Sequence, residues 1–167
     1  FIVHPSLPVK TVKEIAAYIK ANPGKLNYGS PAPSSANRLE MEMFLHAANL
    51  KMRAVHTNGG GPAITILLGG HVEMTVGGPA AIASHVKAGR LRPIVGWGAK
   101  RHEAFPQVPT FKELGYDIEY YIWAGMFAPK GTPKEVIAKL SAALDKALDD
   151  PTVKKRITDL GGTVPPK

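Results

Sequence analysis

The chain alternates between short apolar runs and longer segments in which apolar residues recur every three or four positions. The short runs predict strands at residues 1–5, 25–30, 52–57, 71–76 and 91–98, and the periodic segments between them predict helices. Strands that alternate with helices favour a parallel sheet with helices packed on its faces. The pattern therefore predicts an α/β fold.

Several of the predicted helices have start signals in the sequence. Thr11 and Glu14 have the spacing of a capping box, and Ser34 or Ser35 is placed to cap the second helix. Pro62 is expected at the first position of the third helix, where its missing N–H costs nothing. The expected buried face of the first helix is Val12, Ile15, Ala16 and Ile19. The expected buried face of the second is Leu39, Met43, His46 and Leu50.

The last third of the chain departs from the strand and helix alternation. A helical turn at 110–114 is followed by an aromatic-rich extended segment, roughly 118–128, which predicts a strand long enough to cross between two domains. Thr132 and Pro133 predict the start of a long helix, and Asp150 with Pro151 predicts another. No strand separates these two helices, so we expect them to pack elsewhere, on a second domain.

Composition and charge limit the function. The chain has 167 residues, 44% of them apolar, no cysteine, and no stretch approaching eighteen consecutive apolar residues, so neither a disulfide nor a transmembrane span is predicted. The net charge of +8 is scattered along the sequence, without the basic stripe and interleaved aromatics of a nucleic-acid surface. The chain begins inside an apolar run without a leader, so we expect a fragment or a processed chain.

Three loops of small residues follow predicted strands and precede predicted helices, at 28–35, 57–62 and 77–79. In a parallel sheet such loops meet above the carboxyl ends of the strands, where the first-turn amides and the helix dipole attract an anion. Glycine would let a ligand approach the backbone closely, although glycine and proline in tight turns between αβ units remain an alternative. The candidate ligand-binding residues are Tyr28, Ser30, Ser34, Ser35, His56, Thr57, Asn58, Gly59, Gly60, Gly77 and Gly78.

Motifs for catalysis, metal binding and nucleotide binding are not found in the sequence. It contains neither a G-x-G-x-x-G nor a P-loop motif, neither H-x-x-x-H nor H-E-x-x-H, and no G-x-S-x-G elbow. His56 is either a ligand contact or a polar residue of an edge strand, and His71 with Glu73 fits a half-exposed strand better than a metal site. We predict no catalytic residue, cofactor or metal.

Taken together, several segments resemble the Bug family, the TctC-like extracytoplasmic solute receptors of tripartite tricarboxylate transporters. The resemblance rests on "VHPSLPVKTVKEIAAYIKANPGKLNYGS", "GGGPAITILLGGHVEM", "HVKAGRLRPIVGWGAKR", "FPQVPTFKELGY" and "FAPKGTPKEVIAKLSAALDKALDDPTVKKRITDLGG". It implies a periplasmic receptor of the Venus flytrap type, with a parallel or mixed sheet flanked by helices. Such a receptor closes on a small carboxylate and delivers it to membrane permease subunits, and it is not an enzyme.

The resemblance also implies a division of the chain. Residues 1–120 would form the second ligand-binding domain, 121–132 a strand crossing between domains, and 133–167 the carboxyl-terminal helices of a first domain that is largely missing. The family's Y-K-G-G-G loop corresponds here to His56, Thr57 and Asn58 followed by glycines, with the tyrosine and lysine replaced.

Two alternatives to a receptor for a tricarboxylate, dicarboxylate, amino acid or aromatic acid remain open from the sequence. One is a doubly wound enzyme acting on a phosphorylated or other anionic small molecule. The other is a basic nucleic-acid module, against which the scattered charge argues. The apolar faces of the last helices would invite dimerisation or swapping of this chain.

Overall fold

Strands and helices alternate along most of the computed structural model, which describes residues 1–164. The strands are β1 (Ile2–Val3), β2 (Asn27–Ser30), β3 (Arg53–His56), β4 (Met74–Thr75) and β5 (Arg92–Pro93). The helices are α1 (Val12–Ala21), α2 (Ala36–Ala47), α3 (Gly60–Leu68), α4 (Pro79–Lys87), α5 (Lys134–Asp149) and α6 (Pro151–Asp159), with a 3-10 turn at Lys112–Leu114. The chain divides into two units, Phe1–Ile122 and the residues from Trp123 onward.

The first unit is built on one five-stranded sheet of order β3-β2-β4-β1-β5. Strand β2 pairs in parallel with β3 and β4, whereas β1 lies antiparallel between β4 and β5. The sheet is therefore mixed, which is one of the two arrangements that the family resemblance implies. The parallel pairing that the alternation of strands and helices favours does not extend to β1. Two neighbouring strands that are connected through a helix run parallel. The helix after β1 leads to β2, which is not a neighbour of β1 in the sheet, so this connection does not fix the direction of β1 against β4 and β5.

Helices cover both faces of this sheet and create two apolar clusters. On one face, Tyr28 and Met74 of the strands pack with Ile15 of α1 and Phe44 of α2. On the other face, Ile2, Ile64, Leu67 and Ile82 join β1 to α3 and α4. This three-layer arrangement confirms the predicted α/β class.

The start of α1 follows the sequence prediction, since Thr11 and Glu14 form a complete capping box. On α2, Ser35 is the cap, but the predicted buried face is wrong. Leu39 is 51% exposed and His46 is exposed, and Met43 is only half-buried. The residues that α2 buries are Glu40, Met41, Phe44 and Leu45.

An aromatic cluster explains this rotation of α2. The ring of Phe44 lies 5.7 Å from Phe1, 5.3 Å from Phe111 and 5.9 Å from Tyr116, measured between ring centroids. Burying a phenylalanine among aromatic partners stabilises more than burying Leu39 would, so Phe44 sets the helix face. Leu50, beyond the helix, is buried as predicted.

Two other start predictions need correction. Pro62 is the third residue of α3, because the helix already begins at Gly60, although proline remains in the first turn where no N–H is needed. Thr132 does not cap α5, because its hydroxyl donates to the Pro129 carbonyl and Pro133 is the cap residue without a side-chain bond.

The second unit contains α5 and α6, and Asp150 caps α6 through the amides of Thr152 and Val153. The aromatic segment predicted as a strand at roughly 118–128 and the crossing strand implied at 121–132 contain no strand, since residues 118–132 have no strand structure. Residues 165–167 of the predicted 133–167 segment lie outside the described residues. Within residues 1–164 no helix has both the length and the apolar character needed to span a membrane.

Apolar side chains of α5 remain exposed. Val136 and Ile137 are each 42% exposed, Leu140 is 45% exposed and Leu144 is 37% exposed. These residues lie on the face that the sequence predicts to be apolar, and no residue of this helix is buried.

Candidate ligand-binding site

The loops that follow β2 and β3 lie together at the carboxyl edge of the sheet. Ser30 and His56 are paired residues at the ends of these two parallel strands. Beyond them the Thr57 amide donates to the Ser30 carbonyl at 2.8 Å, and the Gly59 amide donates to the Pro31 carbonyl at 3.1 Å. Two of the three predicted loops are thus joined by backbone hydrogen bonds.

The loop after β4 joins the same edge. The Asn37 side-chain amide of α2 donates to the Val76 carbonyl at 3.1 Å, and the Thr75 hydroxyl donates to the Gly29 carbonyl at 2.7 Å. The sequence predicts that the three glycine-containing loops meet, and these bonds bring them together. A ligand at this edge would face the amino-terminal ends of α2, α3 and α4.

Serine hydroxyls organise the β2–α2 loop, which comprises residues 31–35. The hydroxyls of Ser30 and Ser35 both donate to the Ala32 carbonyl, at 3.0 and 2.9 Å, and lie 3.3 Å apart. Ser35 also accepts the Arg38 amide as the cap of α2. Ser30 is fully buried, Ser35 is half-buried and Ser34 is exposed. The outer two serines are therefore the ones that a ligand can reach.

The glycines at this edge have two different physical reasons. Gly59 has a φ of +116°, in a region that side chains rarely adopt, so the turn itself requires glycine there. At Gly60, Gly61 and Gly78 an added β-carbon would meet no atom of the described residues within 4 Å. Packing within this chain does not require those glycines, and the open space in front of them suits the close approach of a ligand.

Backbone donors at this edge are available to an anion. The first-turn amides of a helix have no partner inside the helix, which applies to Ala36 and Asn37 of α2 and to Gly60 and Gly61 of α3. Each helix start also carries roughly half a positive charge from the aligned peptide dipoles. These groups can hold a carboxylate without a metal, and the described residues contain no cluster of His, Cys, Asp and Glu suited to one.

Other predicted residues lie in different surroundings. Tyr28 is fully buried, and its hydroxyl donates to a Glu42 carboxylate oxygen at 2.6 Å. Burial and this bond raise the pKa of Tyr28. The side chain therefore supports the sheet and α2 from inside and does not face the open edge. His56, Asn58 and Gly60 are exposed, and Thr57 is half-buried with its hydroxyl donating to the Gly59 carbonyl at 2.9 Å.

Glu73 occupies the opposite edge of the sheet. Its carboxylate accepts the Asn27 amide at 2.7 Å, at the amino end of β2. This position separates Glu73 and the nearby His71 from the three loops.

Arg38 is a charged residue at this edge that is absent from the predicted site. Its Nη1 donates to the Pro33 carbonyl at 3.2 Å, and its Nε lies 3.7 Å from a Glu42 oxygen. Long side chains in a helix point back toward its amino terminus, so an arginine three residues after the Ser35 cap could have been expected beside the loop.

A buried acid lies two residues farther along α2. Glu40 is 3% exposed, and its Oε2 has no hydrogen-bond partner within the described part of the chain. Burial raises the pKa of Glu40 to about 7, and the nearby amino group of Phe1 lowers it in part. The Trp97 Nε1 is similarly buried without a partner among these residues.

Comparison with known proteins identifies the family of this chain. The sequence model of the tripartite tricarboxylate transporter family receptor, TctC, matches residues 1–165. The chain belongs to this receptor family. The "UPF0065 protein in gbd 5'region" of Cupriavidus necator is 40% identical over 156 residues, which are 93% of this chain and 47% of that protein. This receptor-family chain thus spans about half the length of the curated relatives it matches.

Two solved structures share its fold. MatC from Rhodopseudomonas palustris with bound malate superposes with a TM-score of 0.90 at 30% identity, covering 98% of this chain and 56% of MatC. A second R. palustris protein, solved with adipate, gives a TM-score of 0.85 at 29% identity, covering 97% of this chain and 55% of that protein. The resemblance to TctC-like receptors and the periplasmic-binding-protein fold are therefore confirmed.

Proposed function

We propose that this chain is the second ligand-binding domain, with carboxyl-terminal helices, of a periplasmic receptor that captures a small carboxylate for a tripartite tricarboxylate transporter. The observation that carries the proposal is the meeting of three helix starts at one sheet edge, joined by the bonds of Thr57, Gly59 and Asn37. The family and the malate and adipate in its structural neighbours support a carboxylate as the ligand.

The ligand carboxylate is held by backbone amides and hydroxyls at the start of α2. The amides of Ala36 and Asn37 and the hydroxyls of Ser34 and Ser35 surround the place where the dipole of α2 is positive. Thr57, Asn58 and the amides after Gly59 face the rest of the ligand or hold water between it and the loop. His56, Gly77 and Gly78 border this edge. Tyr28 and Ser30, which are buried, support the loop from beneath.

The exposed apolar face of α5 fits the division of the receptor into two domains. Residues 1–120 form the domain described above, 121–132 connect it to the first domain, and 133–167 pack on that first domain. The relatives are about twice as long as this chain, which leaves room for the missing domain. A buried partner surface explains why Val136, Ile137 and Leu140 are apolar.

An enzyme acting on a phosphorylated substrate is the rival function, because the same amides could hold a phosphate. The receptor is favoured by the family and by the first-turn amides of α2, which have no partner inside the helix. The hydroxyls of Ser30 and Ser35 donate to the Ala32 carbonyl, and the half-buried Ser35 hydroxyl turns to the ligand when one binds. A nucleophile would need a base beside it, and neither serine has one among its hydrogen-bond partners.

The function is tested by incubating the chain with citrate, succinate, glutamate, benzoate, inorganic phosphate and a phosphate ester. If the chain is a receptor, at least one carboxylate should raise its melting temperature, since a ligand that binds the folded state stabilises it by mass action. The ligands must be recovered unchanged, as judged by proton NMR of the mixture. Stabilisation by phosphate alone, or conversion of the ester, would contradict the proposal.

A further inference from the structure

We propose that Arg38 supplies the cationic contact to the ligand carboxylate and makes the site select anions over neutral isosteres, with Glu42 as an internal competitor for its guanidinium. This inference rests on the proposed function. It assigns a role to a residue outside the neutral serine and glycine donors, and it starts from how the Arg38 side chain is anchored.

The guanidinium of Arg38 is fixed beside the loop that binds the ligand. Its Nη1 donates to the Pro33 carbonyl at 3.2 Å, and Pro33 directly precedes Ser34 and Ser35. The backbone amide of Arg38 donates to the Ser35 hydroxyl, so backbone and side chain of one residue both hold this loop. An arginine side chain tied at one N–H loses less freedom when its other N–H groups bind a ligand.

Several donors of Arg38 remain for a ligand. A guanidinium has five N–H groups; its Nη1 donates to the Pro33 carbonyl, and the guanidinium also interacts with the Tyr28 hydroxyl, whose pKa it lowers in part. Its ion pair with Glu42 is long, at 3.7 Å, and the two side chains are 38% and 48% exposed. Such an exposed pair contributes little to stability, so a ligand carboxylate can replace it.

Glu42 is held by a second bond that keeps its carboxylate near Arg38. The buried Tyr28 hydroxyl donates to the same Oε1 atom that faces Arg38, at 2.6 Å. The carboxylate therefore cannot turn away freely, and it partly neutralises the guanidinium until the ligand arrives. Removing the charge of Glu42 should strengthen ligand binding, while removing the charge of Arg38 should weaken it.

These two opposite effects on ligand affinity are tested in the 167-residue chain by titration in low-salt buffer, followed through the chemical shifts of the backbone amides. The probes are citrate, succinate, glutamate and benzoate, with succinamide and benzamide as neutral isosteres. We expect Arg38→Gln to lower the affinity for each acid that binds by roughly five- to tenfold. The affinity for succinamide and benzamide should stay unchanged. Glu42→Gln should raise the affinity for the acids by roughly two- to threefold, because it removes the charge that competes for Arg38. Glutamine keeps an acceptor for the Tyr28 hydroxyl.

Arg53→Gln is the matched control. Arg53 begins β3 at the opposite edge of the sheet, where its Nε donates to the Asn27 side chain at 2.9 Å, and this variant changes the net charge equally. Equal effects of Arg38→Gln and Arg53→Gln would overturn the assignment of Arg38 while the proposed function stands. Absence of binding of every acid to the unmodified chain would instead overturn the proposed function, and with it this inference.

Discussion

Ser35 links the stability of α2 to ligand binding, and replacing it tests both. In Ser35→Ala the Arg38 amide loses its cap, which costs about 1 kcal/mol of unfolding free energy. No further penalty is expected, because the Ala32 carbonyl still accepts the Ser30 hydroxyl and the Ser35 backbone amide. A loss of that size lowers the melting temperature of a chain of this length by about 2 to 4 °C.

Ser35→Asp separates the two roles of the residue. Aspartate is as good a cap as serine and its charge is favourable at a helix start, so unfolding free energy should stay within about 0.5 kcal/mol of the unmodified chain. The same charge repels a carboxylate ligand. We therefore expect Ser35→Ala to lose stability and bind more weakly, and Ser35→Asp to keep stability and lose binding.

The assay is urea unfolding monitored by circular dichroism, together with carboxylate titration of both variants. An Ser35→Ala variant as stable as the unmodified chain would refute the capping argument. An Ser35→Asp variant that still binds carboxylates with unchanged affinity would refute the position of the ligand at the start of α2.

Two other substitutions test the edge and the buried acid. Gly60→Ala should leave stability equal or raised by up to about 1 kcal/mol but weaken carboxylate binding, since only a ligand needs the space in front of it; equal affinity in the titration would contradict this. Glu40→Gln tests the raised pKa of about 7. A carboxyl whose pKa is raised by folding binds its proton more tightly in the folded state. The unfolding free energy of the unmodified chain, compared with that of Glu40→Gln, should therefore fall by roughly 2 to 4 kcal/mol as pH rises from about 4.5 to about 7. The measurement is urea unfolding of both proteins at pH 4.5 and at pH 8. The same difference in unfolding free energy between them at both pH values would contradict this prediction.

The elements that were predicted correctly have local causes. The capping box of Thr11 and Glu14 and the cap of Ser35 depend on residues a few positions apart, which the sequence displays directly. The direction of β1 and the buried face of α2 depend on distant partners. Phe44 faces inward because Phe1 and Phe111 meet it, and helical spacing alone also allowed Leu39 and Met43.

The candidate site shows the same division. The meeting of the three loops follows from parallel strands and could be predicted from the glycine positions. Tyr28 could not be assigned in this way, because its place in the core depends on which face of β2 meets α2. The predicted site lacks Arg38, because the place of this residue beside the loop depends on a side chain that folds back from the first turn of α2.

The most direct test of the account is the map of amide chemical shifts on adding carboxylates to the chain. Binding at the proposed edge predicts changes confined to residues 28–38, 57–61 and 76–80, with the largest at Ala36 and Asn37. Shifts concentrated instead at the amino edge, around Asn27, Arg53 and Glu73, or shifts caused only by phosphate, would contradict the central claim that these three loops hold a carboxylate.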